Sequence, residues 1–185
     1  GYAMGGGLEI AIRCHRMLAT RNALLQFPEI TLGILPGIGG CVVPYRRWPE
    51  AAALFHDMIC LARPLKAAEA AERGIVSRLA DDYADLIAKA IEEVHVLQGN
   101  LPRIEDGKMD LPLPAIPDAP TAAGQPLSRE AVAITVKTIQ AAAAAAKLTD
   151  ALEIGYRGFG EIACTAAARE GISAFLEKRR PVFEK

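Results

Sequence analysis

A glutamate follows a run of three glycines near the start of the chain. Gly5, Gly6 and Gly7 lead into an apolar stretch, residues 8–14, in which Glu9 stands second. The stretch predicts a helix that begins directly after the glycines. Glycines at a helix entry let backbone N–H groups approach a ligand closely, with the helix dipole behind them. This arrangement favours a site for an anion or an oxyanion.

A second glutamate, Glu29, follows Pro28 at the end of a predicted strand, residues 23–27. If the fold brings Glu9 and Glu29 together, one carboxyl group can orient or deprotonate water while the other transfers a proton. The spacing alone does not show that the two side chains meet.

Each of these features also has an ordinary interpretation. Glu9 would pair with Arg13, four residues later, on an exposed helix face. Glu29 would be a carboxylate in water at a strand end. The glycines would be a flexible helix entry.

Several common kinds of site are excluded by residue spacing. Gly37-x-Gly39 fails the dinucleotide fingerprint because Val42 stands where the third glycine belongs. We expect no metal site, because the histidines are far apart, and no serine nucleophile, because no serine stands in a nucleophile-elbow context. The residues concerned are His15, His56 and His95, and Ser77, Ser128 and Ser173.

Composition favours a globular protein that binds neither nucleic acid nor membrane. The formal net charge is -1, and 51% of the 185 residues are hydrophobic. No apolar run approaches the roughly 18 residues that a membrane helix needs. The four cysteines show no CxxC or framework spacing, which predicts reduced thiols and a cytoplasmic location.

Apolar periodicity and turn residues predict a helix-rich α/β fold with few short strands. Gly74 stands where the helix over residues 66–73 should end. The other predicted helices cover residues 41–48, 50–61 and 81–98, and the predicted strands cover residues 16–20, 23–27 and 75–79.

Residues 101–127 interrupt this pattern, because six of the chain's 12 prolines lie there. We predict an extended linker or surface arm. Ser128 should then cap a long helix that continues to Lys147, and Asp150 with Glu153 resembles a capping box that opens the next helix. The predicted division is therefore a core part (1–100), the arm (101–127) and a C-terminal helical subdomain (128–185).

Taken together, four segments resemble the crotonase (enoyl-CoA hydratase/isomerase) superfamily, in matching order and with approximately matching spacing. They are residues 1–9 (GYAMGGGLE), 27–40 (FPEITLGILPGIGG), 67–76 (AAEAAERGIV) and 170–179 (EGISAFLEKR).

The resemblance implies a role for each matching position. Gly6 matches the glycine whose N–H helps to hold the thioester oxyanion. Glu9 and Glu29 match the two glutamates that manage water addition to a 2-enoyl-CoA, and the presence of both favours hydration over isomerisation.

Other matching positions are expected to bind the substrate. Gly5, Gly37 and Phe175 are expected to contact the acyl-CoA substrate, and Lys178 matches a position near the coenzyme A phosphates. The resemblance implies coenzyme A only as part of the substrate, no bound cofactor, and a homo-oligomer, either a trimer or a hexamer.

Three departures from the family pattern stand out. The family's N-terminal half, which supplies a second oxyanion N–H, has no counterpart here, so we expect a C-terminal portion of the fold. His15 stands where a hydratase often has aspartate. The long arm and residues 155–161 resemble the hydratase part of fused 3-hydroxyacyl-CoA dehydrogenase/enoyl-CoA hydratase proteins.

The resulting hypothesis is an enoyl-CoA hydratase that acts in fatty-acid or related acyl-CoA degradation, as part of a larger bifunctional protein. One alternative is another crotonase-type enzyme, an acyl-CoA isomerase or hydrolase. Another is that the chain alone is an inactive structural or oligomerisation module.

Overall fold

The computed structural model describes residues 1–183 and shows the helix-rich α/β architecture that the sequence predicts. The helices of this part of the chain are α1 (Gly6–Ala11), α2 (Val43–Arg47), α3 (Ala52–Cys60), α4 (Ala67–Glu72), α5 (Tyr83–Leu97), α6 (Arg129–Ala144), α7 (Leu148–Ala163) and α8 (Ala166–Leu176). Two single 3-10 turns cover Glu29–Leu32 and Pro49–Ala51.

The strands are short and form three small sheets within the described residues. They are β1 (Tyr2–Met4), β2 (Leu18–Thr20), β3 (Leu24–Gln26), β4 (Leu65–Lys66), β5 (Arg78–Ala80), β6 (Thr121–Ala122) and β7 (Gln125–Pro126). β1 lies parallel to β3, and β4 lies antiparallel on the other side of β3. β2 pairs in parallel with β5, and β6 with β7 forms a hairpin. The two strands predicted on either side of Arg21 therefore exist, but they belong to different sheets.

The predicted element bounds hold to within a few residues, with some corrections. The helix predicted over residues 8–14 begins earlier, at Gly6, and ends at Ala11. Lys66, predicted as the first helical residue of α4, lies in β4. Gly74 ends α4 as predicted and has a φ of 68°.

One continuous apolar core supports the first half of the chain. Phe27, Tyr45 and Phe55 are its largest fully buried side chains, and helices α1 to α4 contribute to it together with β3 and β4. Leu8 and Ile12 fix α1 in this core from one face. The buried face of α1 therefore determines where Glu9, on the same helix, is directed.

Arg47 holds the end of α1 from outside the core. Its guanidinium group donates to the carbonyl oxygens of Ile12 (2.7 Å), Cys14 and His15 (2.9 Å). It also lies 4.6 Å from the centre of the Trp48 ring. These bonds satisfy the carbonyl at the C-cap of α1, Ile12, and two carbonyls of the turn that follows the helix.

The proline-rich segment 101–127 is a packed surface arm. Backbone N–H groups of Gly107 and Met109 donate to Ala146 and Ala143 at the end of α6, at 2.7 and 2.8 Å. Apolar side chains of the arm pack against the core: Ile104, Leu111, Leu113 and Ile116. The arm thus continues the folded structure, although the predicted three-part domain division stays a prediction.

A buried arginine joins the arm to two helices. Arg46, in α2, is 9% exposed. Its Nη1 atom donates to Gly107 (2.9 Å) and Glu105 (3.2 Å), and its Nη2 atom donates to Ala145 (2.8 Å) and Ala142 (3.4 Å). All four acceptors are backbone carbonyls, so the planar guanidinium satisfies the arm and the end of α6 at once.

The helix starts of the C-terminal part differ in how they are capped. Ser128 caps α6 as predicted, since its Oγ accepts from the Ala131 N–H at 3.2 Å. The predicted capping box is wrong: Asp150 lies inside the first turn of α7, and Lys147 occupies the cap position. The Leu148 N–H donates instead to the Asp106 carboxylate of the arm, at 2.7 Å.

We predict that Arg46→Met lowers the free energy of unfolding by about 2–4 kcal/mol, because four carbonyls lose a charged donor. Arg46→Lys should recover only part of this loss, because an ammonium group cannot span both pairs of acceptors. Urea denaturation followed by circular dichroism measures both effects.

Arg157→Met is the matched control, since Arg157 is exposed and its ion pair among the described residues is with Glu153, at 2.9 Å. Its loss should stay below about 0.5 kcal/mol. Equal losses for the Arg46 and Arg157 variants would contradict the role given to Arg46.

Candidate active site

Only one position in the glycine run before Glu9, Gly5, strictly requires glycine. Gly5 has a φ of 54°, and its N–H donates to Gln26 at 3.0 Å, which continues the pairing of β1 with β3. A Cβ atom at Gly5 would lie 2.9 Å from Oε1 of Glu29. Only glycine therefore satisfies both the backbone conformation and the close approach of the carboxyl group.

The next two glycines face open space. A Cβ atom built on Gly6 or Gly7 would meet no other atom within 4 Å. Gly6 and Gly7 form the first turn of α1, where backbone N–H groups lack carbonyl acceptors in the helix. The Gly6 N–H, the predicted oxyanion donor, therefore belongs to an exposed, unobstructed part of the helix entry.

Glu9 is buried, and backbone N–H groups compensate its charge. The residue is 3% exposed. Its Oε1 atom accepts hydrogen bonds from the N–H groups of Ile38 (2.8 Å) and Gly40 (2.7 Å). The alternative interpretation of an exposed Glu9–Arg13 pair is wrong, because Arg13 donates instead to the carbonyl of Ile38, at 2.7 Å.

The loop that supplies these donors must contain glycine. A Cβ atom at Gly40 would lie 2.5 Å from Cβ of Pro36 and 3.2 Å from Oε1 of Glu9. The sequence alone does not show that the N–H groups of this loop bind Glu9. The close succession of Pro36, Gly37, Gly39 and Gly40 is the signal from which a tight backbone nest is recognisable.

Glu29 lies in the first turn of the 3-10 segment Glu29–Leu32, in a different environment. Its Oε2 atom is buried and has no hydrogen-bond partner among the described residues. Burial raises the pKa of Glu29 to about 7, its own backbone N–H opposes this rise, and the nearby charge of Glu9 adds to it. The alternative interpretation of Glu29 as a carboxylate in water is therefore wrong.

The pKa of Glu9 is also raised, but several interactions oppose the rise. Burial raises it, whereas the backbone N–H groups of Gly40, Ile38 and Gly37, and the charge of Arg13, lower it. Glu9 thus has donors for its ionised form, and Glu29 lacks them. Two carboxyl groups whose surroundings differ in this way can serve as a base and an acid near neutral pH.

The remaining predicted site residues lie around this pair at different places. Gly37 is half-buried, and a Cβ atom there would lie 2.8 Å from Cδ2 of Phe159 in α7. Phe175 is 68% exposed at the end of α8 and lines a cavity of about 530 Å³ together with Leu32. Lys178 follows α8 in the left-handed conformation, with a φ of 56°.

Helix α8 connects these last residues to the site. A Cβ atom at Gly171 would collide with the carbonyl group of Leu32, in the 3-10 turn that carries Glu29. The structure thus brings Glu9, Glu29 and Gly5 together. Phe175 lies beside the same 3-10 turn on the α8 side, and Lys178 follows that helix. The roles of all these residues in binding or catalysis stay predictions.

Metal clusters and membrane-spanning helices are both absent from the described residues. No group of three or more His, Cys, Asp or Glu side chains within residues 1–183 is placed to hold a metal ion. No helix in this range is long and apolar enough to cross a membrane.

Comparison with known proteins identifies the family. The enoyl-CoA hydratase/isomerase family model matches residues 1–104. A probable enoyl-CoA hydratase of Bacillus subtilis (strain 168) is 32% identical over 184 residues, which cover 100% of this chain and 60% of that protein. The glyoxysomal fatty acid beta-oxidation multifunctional protein MFP-a of Cucumis sativus is 40% identical over 81 residues, 43% of this chain and 11% of that protein.

A solved structure shows the same fold. Carnitinyl-CoA hydratase from Mycobacterium avium aligns with a TM-score of 0.67 at 21% identity, over 100% of this chain and 60% of that one.

The family match covers 104 of the 185 residues, so the chain belongs to the enoyl-CoA hydratase/isomerase family, and its fold is the crotonase fold. The resemblance noted in the sequence is thereby confirmed. The chain spans about 60% of the length of the Bacillus subtilis relative.

We predict that Glu29→Gln makes the chain more stable at pH 8 than the unsubstituted protein, by about 2 kcal/mol. The pKa of Glu29 is raised from 4.5 to about 7 in the folded state. Stability is therefore highest below pH 4.5 with respect to this group, and it is lost as the pH rises through 7. Glutamine cannot ionise, so the variant should lack this part of the pH dependence.

Urea denaturation at pH 5 and pH 8 measures the effect. Glu9→Gln is the contrasting variant: backbone N–H groups oppose the rise in the pKa of Glu9, so its gain in stability at pH 8 should be smaller than that of Glu29→Gln. The assignment fails if Glu29→Gln leaves the pH dependence of unfolding unchanged.

Proposed function

We propose that the complete protein is an enoyl-CoA hydratase that adds water across the 2,3 double bond of a 2-trans-enoyl-CoA. The observation that carries this proposal is the difference in hydrogen bonding between the two carboxyl groups. Glu9 accepts two backbone N–H bonds, whereas the buried Oε2 atom of Glu29 has no partner among the described residues. Hydration needs one group that accepts a proton and another that supplies one.

The proposed roles follow from these surroundings. Glu9, ionised, binds the water molecule and accepts one of its protons as the hydroxyl oxygen bonds to C3 of the substrate. Glu29, which keeps its proton near neutral pH, transfers that proton to C2. The substrate gains the hydroxyl group of water at C3 and a proton at C2. Glu9 ends protonated and Glu29 ionised, so transfer of one proton from Glu9 to Glu29 through solvent restores their starting states.

The thioester oxygen becomes more negative as C3 is attacked. In the proposal, the Gly6 N–H at the open entry of α1 donates to this oxygen. Since both proton transfers use carboxyl groups of the chain, the proposed reaction needs no cofactor and no metal.

Binding of the coenzyme A part is assigned by resemblance. We place Gly5, Gly37 and Phe175 in contact with the acyl-CoA substrate, and Lys178 near its phosphates. The exposed position of Phe175 and Lys178 at the end of α8 leaves both side chains available for such contacts.

The proposal also covers the metabolic role, the oligomeric state and the cellular location of the complete protein. The 81-residue similarity to a multifunctional beta-oxidation protein supports, for the complete protein, a role in fatty-acid or related acyl-CoA degradation together with a dehydrogenase. We propose a homo-oligomer, trimer or hexamer, and a cytoplasmic location, which the free thiols of Cys14, Cys41, Cys60 and Cys164 suit.

We predict that Glu9→Gln and Glu29→Gln each lower kcat for crotonyl-CoA hydration by roughly 10²–10⁴-fold in the complete protein, because each removes one proton-transfer group. Loss of enoyl absorbance measures the rate. Glu72→Gln, an exposed glutamate of α4, is the matched control and should retain the full rate.

Product analysis separates the proposal from other chemistry of the family. A 3-hydroxyacyl-CoA product supports hydration, whereas free coenzyme A identifies a hydrolase and a shifted double bond identifies an isomerase. Near-unchanged turnover in both glutamate variants would exclude the assigned roles.

The pH dependence of turnover should reflect the two carboxyl groups. We predict that kcat falls as the pH rises above about 7, because Glu29 loses the proton that it must supply. It should also fall on the acid side, where Glu9 becomes protonated. A rate that keeps increasing to pH 9 would contradict the assignment of Glu29 as the acid.

A further inference from the structure

The residue that binds Glu9 is itself held from both sides. The N–H of Ile38 donates to Oε1 of Glu9 at 2.8 Å, and the carbonyl oxygen of Ile38 accepts from Nη1 of Arg13 at 2.7 Å. Arg13 follows Glu9 by four residues, just past the end of α1. The carboxylate and the guanidinium group of one segment thus bond the donor and the acceptor of the same loop residue.

The loop needs such a restraint. Three glycines, Gly37, Gly39 and Gly40, surround Ile38, and Gly39 has a φ of 120°. Glycine loses more conformational freedom on ordering than any other residue. Ile38 is 42% exposed, so burial holds this loop residue only in part. The hydrogen bond from Arg13 therefore restrains the peptide groups of the loop that face Glu9.

We propose that Arg13 is a positioning residue for the Glu9 carboxylate, which it orients by fixing the loop residue Ile38. Arg13 is exposed and acts through the loop. With respect to turnover, this inference rests on the proposed function, since it concerns the same carboxyl group.

The electrostatic surroundings agree with this geometry. Three groups interact with the Glu9 charge from the elements around it: Arg13 on its own segment, Glu29 on the 3-10 turn and the buried Cys41 thiol after the loop. Among these, only Arg13 is positively charged, and it favours the ionised form of Glu9. Substitution of Arg13 therefore removes both the hydrogen bond to the loop and this positive charge.

Two variants distinguish the effect of the Arg13 hydrogen bond from the effect of side-chain size. Arg13→Met keeps the length of the side chain without a donor or a charge, and Arg13→Lys keeps a charged donor. Arg21→Met is the control, because Arg21 is an exposed arginine whose partner, Asp81, lies outside the site.

The first measurement concerns position and needs no activity. Carboxyl carbon NMR of this chain follows the titration of Glu9, and backbone amide NMR follows the N–H groups of Ile38 and Gly40. We expect Arg13→Met to raise the pKa of Glu9 and to shift both amide signals, and Arg13→Lys to restore both at least in part. Unchanged amide signals and an unchanged Glu9 titration in Arg13→Met would overturn the proposal.

The second measurement concerns turnover of crotonyl-CoA by the complete protein. Arg13→Met should lower kcat by about three- to tenfold with KM changed less than twofold, because a misplaced base affects the transition state more than binding. Arg13→Lys should recover most of the rate, and Arg21→Met should retain it all. A loss confined to KM, or no rescue by lysine, would overturn the positioning role.

The two measurements distinguish the inference from the function on which it rests. If the complete protein does not hydrate crotonyl-CoA, the proposed function fails, and the NMR titration still decides whether Arg13 positions Glu9. If hydration occurs and the Glu9 signals do not respond to Arg13, only the positioning role is excluded.

Discussion

The cost of burying the Glu9 carboxylate governs the arrangement of this site. An ionised carboxyl group removed from water is unstable unless hydrogen-bond donors replace the solvent. The Ile38 and Gly40 N–H groups provide that replacement, so the loop that contains them must fold tightly over α1. The glycines of that loop, the burial of α1 through Leu8 and Ile12, and the anchoring of its end by Arg47 all serve this one contact.

Glu29 is also a buried carboxyl group, but its buried oxygen lacks the hydrogen-bond donors that Glu9 has. It approaches the backbone at Gly5 and faces the charge of Glu9 without a donor for its buried Oε2 atom. Hydrogen-bond donors therefore offset part of the cost of ionising Glu9, whereas the buried oxygen of Glu29 lacks them, although both belong to the same residue type. The difference arises from backbone geometry, because glycine at position 5 allows the approach and glycine at position 40 allows the compensating bond.

The sequence reveals the elements of this fold better than their partners. The glycines before Glu9, the position of Pro28 before Glu29 and the Ser128 cap are local features, and each predicts a local structure that is present. The capping of α7 could not be predicted, because its acceptor, Asp106, lies 42 residues away in the arm. The alternative pair of Glu9 with Arg13, which helical spacing suggests, is absent for a similar reason: the folded loop offers Arg13 the carbonyl of Ile38. Likewise, the pairing of β2 with β5 requires knowledge of how distant segments cross.

The guanidinium group of Arg46 has a consequence for the dynamics of the arm. Release of residues 105–107 would remove two of its four acceptors and leave a buried cation partly unsatisfied. The same group holds the carbonyls at the end of α6, so departure of the arm and fraying of that helix are energetically linked. Although it is rich in proline and has little regular structure, the arm should therefore behave in amide hydrogen exchange as part of the same cooperative unit as α2 and α6, and opening of this segment should require sub-global unfolding.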